Sequence, residues 1–180
     1  MMEVAVNIHL PFTKDVIKTL KAGDTISVSG VMFTARDAAH KRMAEALAAG
    51  KPLPFDLTGQ TIYYAGPCPA KPGRVIGSCG PTTSCRMDQF APALLDLGLL
   101  AMVGKGDRSD AVADAIKRNG AVYLAAIGGA GALYANAIKQ VDVIAYEDLG
   151  PESVKRLVVE NMPLTVVIDC FGNNLYRRTS

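Results

Sequence analysis

From residue 99 onward short apolar runs alternate with helical ones, and this alternation constrains the fold more than any other feature. Leu99 to Val103 reads as a strand, Ser109 to Asn119 as a helix and Ala121 to Ile127 as a strand. A helix over residues 130–138, a strand over 141–145, a helix from Pro151 to Glu160 and a strand from Leu164 to Cys170 follow. Such a pattern specifies an α/β domain. The first third is richer in strands. Residues 3–8 place Val4, Val6 and Ile8 on one face, Thr25 to Phe33 is a second β-rich run, and Thr61 to Ala65 is a short strand. Helical spacing covers residues 13–21, ended by Gly23, and residues 35–49, stopped by Gly50 with Pro52 behind it. The early strands predict an additional β layer. No repeat, low-complexity tract or linker divides the 180 residues, so a single domain over residues 1–180 is expected.

Composition removes several classes of function. Nineteen basic residues against 17 acidic ones, with no basic run, argue against a nucleic-acid partner. Residues 120–138 carry no charge and are nearly long enough to span a membrane. Four glycines and Asn136 weaken that reading, and a buried strand followed by a Gly-rich entry into a helix fits better. Cys68, Cys79, Cys85 and Cys170 form no CxxC pair, and the start of the chain lacks a signal-peptide pattern. A cytoplasmic protein with reduced thiols is expected. Mean hydropathy is +0.20, high for a soluble domain, which points to surface meant for another chain.

The residues that carry chemistry concentrate in GPCPAKPGRVIGSCGPTTSCRMD, positions 66–88. Its glycines and prolines fix a loop with special backbone angles, which runs into an expected helix over residues 83–97. Hydroxyls of Thr82, Thr83 and Ser84 are placed to cap that helix, and its N-terminus offers an anion site. Arg86, four residues after Thr82, would lie on about the same side and could grip a carboxylate at two points. Arg36 opens the helix in TARDAAHKRM, where a cation is slightly unfavourable. Its placement calls for an anionic ligand or for a pair with Asp37 or another carboxylate. His40, one turn on, is read as structural. Lys105, between two glycines after an apolar strand, is placed to approach an anion at a strand end.

Two other patterns lead nowhere. IGGAGALYANA fails the GxGxxG dinucleotide pattern because Tyr134 stands where the third glycine belongs. The cysteine spacings match no zinc or iron–sulfur pattern, so no metal ligand is assigned to this chain.

Taken together, YYAGPCPAKPGRVIGSCGPTTSCRMD, GKG, AVYLAAIGGAGALYA, YEDLG and VVIDCFGNNLY resemble the class I fumarate hydratases. The resemblance is to their C-terminal domain, which in some organisms is a separate β subunit; the L-tartrate dehydratase β subunit shares the motifs. It covers nearly the whole chain and implies a swivelling β/β/α domain, in keeping with the additional β layer. It also implies a 4Fe-4S cluster ligated by a partner α subunit, whose free iron binds the substrate, and a hetero-oligomer such as α2β2. Carried over by motif, Thr82 resembles the proposed catalytic base, and Arg36, Arg86 and Lys105 resemble the substrate-binding cations. The activity implied is the reversible hydration of fumarate to L-malate. L-tartrate dehydration to oxaloacetate and a non-catalytic dicarboxylate-binding domain are the alternatives.

Overall fold

The structure, a computed structural model, describes residues 5–177. One seven-stranded sheet organises it. β1 (Val6–His9), β2 (Thr25–Thr34), β3 (Thr61–Tyr63), β4 (Ala101–Gly104) and β5 (Val122–Ala125) run parallel, side by side in that order. β6 (Ile138–Ala145) pairs with β7 (Val154–Ile168), and β7 lies antiparallel to both β5 and β2. The β2–β3–β4–β5–β7 circuit therefore closes into a five-stranded barrel. The β layer expected from the strand-rich first third is part of this same sheet, folded back until β2 meets β7.

Side-chain alternation explains the closure. Tyr63, Ala101, Val103, Val122 and Leu124 join Ile26, Val28, Leu157 and Leu164 in one core, inside the barrel. The residues between them, Ile62, Met102 and Tyr123, belong to a second core under the helices. There they meet α2 (Asp37–Ala48), α3 (Ala91–Asp96) and α4 (Asp110–Asn119). β3 and β4 are buried on both faces, as parallel strands under crossover helices must be. Each such Leu, Ile or Val contributes about 1.5–3 kcal/mol of transfer free energy. The remaining helices are α1 (Lys14–Ile17), capped by the Thr13 hydroxyl, and α5 (Gly131–Ala137).

Three expectations are corrected. Pro151 to Glu160 is not an α-helix: a 3-10 turn ends at Glu152 and Val154 onward is strand β7. Leu157 and Val159, then Met162, Leu164 and Val166, enter the barrel core at a period of two. Asn161, with φ 51°, absorbs the slip between the two sets. Pairing to β2 and β6 outweighs the helical spacing. Residues 83–97 do not form one helix either. A 3-10 turn over Ser84–Met87 precedes α3, and Pro92 stands in the first turn of α3 where its missing N–H costs nothing. The helix expected over 13–21 is a single turn, α1. Val4, assigned to the first strand, lies outside the described residues. No helix of the described residues is long and apolar enough to cross a membrane.

Candidate active site

Parallel strands present their carboxyl ends at one edge, and the four residues singled out from the sequence converge there. Arg36 stands two residues beyond β2 and Lys105 directly beyond β4. The Arg36 side chain lies across the backbone after β3: a Cβ on Gly66 would sit 2.8 Å from its Nη1. Lys105 reaches over the turn after β5, its Cδ 3.6 Å from where a Cβ on Gly128 would be. The Thr82 segment crosses the same edge. Thr82 N–H donates to the Tyr64 carbonyl at 2.7 Å, Thr83 bridges to Lys105, and Ser84 N–H donates to the Lys105 carbonyl at 2.9 Å. Arg86 Nε lies 2.9 Å from Asp37 Oδ1, an ion pair that ties its turn to the start of α2 beside Arg36.

The mechanism of placement differs from the one expected. Thr83 is the N-cap of a four-residue 3-10 turn, and no hydroxyl caps it. So short a turn has no useful dipole, and helical i,i+4 geometry does not align Thr82 with Arg86. Sheet pairing positions Thr82, and an ion pair positions Arg86. Among the described residues the Thr82 hydroxyl has no hydrogen-bond partner and remains open to a ligand.

The edge is cationic but restrained. Arg36 lies 3.7 Å from Asp37 and 3.7 Å from Glu152. Those are ion-pair distances, too long for hydrogen bonds, and Arg36 Nε and Asp37 Oδ2 are buried without a hydrogen-bond partner. The Arg36 guanidinium is thus flanked by two carboxylates and hydrogen-bonded to neither. Arg86 keeps half of its side chain exposed, and Lys105 is exposed with no ion pair among the described residues.

Beneath the edge runs a buried polar network that the sequence did not reveal. Arg108 is fully buried, donates from Nε to Asp88 at 2.7 Å, and stacks at 4.8 Å from the Tyr123 ring and 5.3 Å from the Tyr64 ring. The second oxygen of Asp88 accepts the Ser109 N–H at the start of α4, at 2.7 Å. Read locally, GKGDRSD is a polar turn, and nothing in it signals a buried arginine. Glu152 was missed for the same reason, since only the fold brings it to Arg36.

His40 is structural. Its Nδ1 lies 2.8 Å from the Arg36 carbonyl and so donates its proton there. Burial lowers its pKa to about 4, leaving the ring neutral. The cysteines do not fit an iron–sulfur cluster, which takes converging thiolates. Cys68 and Cys85 are exposed, Cys79 and Cys170 are buried, and burial pushes the Cys79 thiol up to about 12. No group of three or more His, Cys, Asp or Glu among the described residues could hold a metal ion.

Known proteins resemble this sequence. The chain is 44% identical over 155 residues to fumarate hydratase 1, mitochondrial, of Leishmania major, covering 85% of this chain and 28% of that protein. It is 38% identical over 155 residues to the anaerobic class I fumarate hydratase of Escherichia coli, again 85% of this chain and 28% of the other. A Methanocaldococcus jannaschii protein, provisionally named L(+)-tartrate dehydratase subunit beta, is 41% identical over 174 residues, 93% of this chain and 89% of its own. The chain therefore spans little more than a quarter of the fumarate hydratases it matches and nearly all of the tartrate dehydratase subunit. A family model described as fumarase C-terminus matches residues 1–179, a range that takes in every strand of the barrel and all four residues at its edge, and the chain belongs to that family.

Proposed function

We propose that this chain is the β subunit of a two-subunit, iron–sulfur-dependent hydro-lyase that adds water reversibly to fumarate to give L-malate. The observation that carries the proposal is the meeting of Arg36, Arg86, Lys105 and an unpartnered Thr82 hydroxyl at one barrel edge. Fumarate and malate are dianions, and a planar guanidinium grips a carboxylate at two points. Arg36 and Arg86 take that part, and Lys105 adds a mobile point charge. Proton removal beside a carboxylate builds enolate-like charge, which fixed cations stabilise. Thr82 holds and moves the proton at that carbon. A hydroxyl is a poor base, so it works with cations beside it or as a relay.

A 4Fe-4S cluster carried by a partner α subunit completes the site on this reading, since the cysteines here do not fit one. Support for a separate subunit comes from the match along 89% of a chain whose name includes subunit beta. The chain acts as one domain of the swivelling β/β/α type, in a cytoplasmic hetero-oligomer such as α2β2. The same relative favours a second reading, L-tartrate dehydration to oxaloacetate, because both substrates are four-carbon dicarboxylates. The test is anaerobic co-expression with the partner subunit and assay of both substrates. The isolated chain is expected to be inactive. A cluster spectrum and hydratase activity from this chain alone, reconstituted with iron and sulfide, would overturn the split arrangement.

A further inference from the structure

Thr82 and Arg86 stand on one turn and Lys105 on another, and a reaction that uses all three needs the turns held at one offset. Backbone contacts tie them at one place: Ser84 N–H to the Lys105 carbonyl, and the Thr83–Lys105 bridge. A side chain adds the rest. The Tyr123 hydroxyl lies 2.8 Å from Ser84 Oγ and 2.8 Å from the Gly106 carbonyl. A phenol has one proton and a carbonyl only accepts, so Ser84 donates to Tyr123 and Tyr123 donates to Gly106. The chain of bonds clasps Lys105 between the two turns.

Three features make this a device rather than incidental packing. Tyr123 is fully buried, and phenylalanine would fill the same volume without the cost of burying a hydroxyl. The ring is fixed from below by the Arg108 guanidinium, itself anchored by Asp88. Gly104, at the end of β4, leaves room for Ser84: a Cβ there would overlap Ser84 Oγ. Both bonds of the hydroxyl go to the turns that carry the proposed site.

We infer that Tyr123 is a positioning residue for the dicarboxylate site, its hydroxyl setting the Thr82–Arg86 turn against the Lys105 turn through Ser84 and Gly106. The inference rests on the proposed hydro-lyase reading. Displacement of reacting groups by about 1 Å costs on the order of a hundredfold in rate, so a loosened clasp shows in kcat.

The test compares Tyr123→Phe, Ser84→Ala and their double variant in the assembled enzyme, with Ile116→Val in the α4 core as a stability control. Each single variant is expected to lower kcat about tenfold or more per assembled site, and the double variant no further than the worse single one. Ile116→Val loses stability and keeps kcat. A kcat within about twofold of wild type for Tyr123→Phe, or losses that multiply in the double variant, overturns the inference. Ser84→Ala breaks the same chain from its other end and carries the test if Tyr123→Phe does not assemble. Amide exchange on this chain supplies a readout independent of turnover: either variant is expected to speed exchange at the residue-84 N–H. If the wild-type complex turns over neither fumarate nor tartrate, the proposed function falls, and the exchange result alone decides the clasp. Unchanged exchange then overturns it.

Discussion

Gly66→Ala isolates Arg36 without touching it. The new Cβ would sit 2.8 Å from Arg36 Nη1 and 3.0 Å from its Cδ, closer than atoms tolerate. The backbone of Gly66 is outside the left-handed region, so alanine fits it without strain. Something must move, and the cheapest mover is the guanidinium, whose side chain is 24% exposed and makes only long ion pairs. Stability should change little: the swing of one side chain is offset by the ~0.4–1 kcal/mol gained from stiffening the unfolded chain. Function should change much more. A hydrogen bond to a charged group contributes about 1.5–3 kcal/mol, which is about a tenfold to 150-fold loss in kcat/KM when it is misplaced. Initial rates in the assembled enzyme, with thermal unfolding of the same preparation, measure both. Gly80→Ala is the control, because its Cβ would make only an ordinary 3.6 Å contact with Gly131. A double variant with Arg36→Ala should be no worse than Arg36→Ala alone. A Gly66→Ala enzyme with kcat/KM within about twofold of wild type would refute the placement of Arg36 in the substrate site.

Thr82→Ala removes no capping bond and should leave unfolding within about 0.5 kcal/mol of wild type while kcat falls about a hundredfold to ten-thousandfold; Thr82→Ser should retain a substantial part. If Thr82→Ala exchanges the substrate C–H proton with deuterated solvent as fast as wild type, Thr82 does not move that proton. Arg86→Lys keeps the charge but loses the planar grip and the close Nε contact with Asp37, for an expected loss of about 3 kcal/mol, or on the order of a hundredfold in kcat/KM; near-normal kinetics would assign Arg86 to structure. His40 binds its proton near pH 4 when folded and near 6.5 when unfolded, so the unfolded state takes up more protons as pH falls. Stability is therefore lost below pH 6.5, by up to about 3 kcal/mol at pH 4. Urea unfolding of wild type and His40→Gln across that range checks it: a stability difference between them that does not vary with pH would contradict the buried, neutral ring.

What the sequence revealed was what its local chemistry decides. α4 carries both of its stop signals in the chain itself, Ser109 accepting the Val112 N–H at one end and Gly120 in the left-handed region at the other. β4 and β5 announce themselves as apolar runs because both of their faces are buried. The strand expected from Leu164 matches the end of β7, but the helix expected over Pro151 to Glu160 is overturned because the evidence for the first part of β7 lies elsewhere. Val154–Ile168 pairs with β2, β5 and β6, and its own residues do not record those partners. The site followed the same rule. Lys105 at a strand end, and Arg36, Thr82 and Arg86 at expected helix starts, were legible as residue types suited to an anion. Their restraints were not, because Asp37 meets Arg86 and Glu152 meets Arg36 only after the barrel has closed. Ser84 and Asp88 lie within the signature stretch, yet their task is to bond Tyr123 and Arg108, and that pairing is invisible without the fold.

The edge as it stands is too wet for the chemistry proposed for it. A charge pair at 4 Å is worth about 1 kcal/mol in bulk water and about 4 kcal/mol at the effective dielectric of a protein surface cleft. Arg86 is 51% exposed and Lys105 is exposed, so both now work near the weaker limit. Stabilising an enolate-like charge needs the stronger one, and so does depressing the proton affinity of a threonine hydroxyl. Within the barrel, the buried network around Arg108 holds the turns from below. On the proposed reading, a partner surface laid across the strand ends supplies the missing dielectric. Ile127, two residues beyond β5 at this edge and 63% exposed, is an apolar side chain that such a surface would cover. A covering subunit would then do two things at once: bring what this chain's cysteines cannot hold, and exclude the water that keeps Arg36, Arg86, Lys105 and Thr82 from acting at full strength.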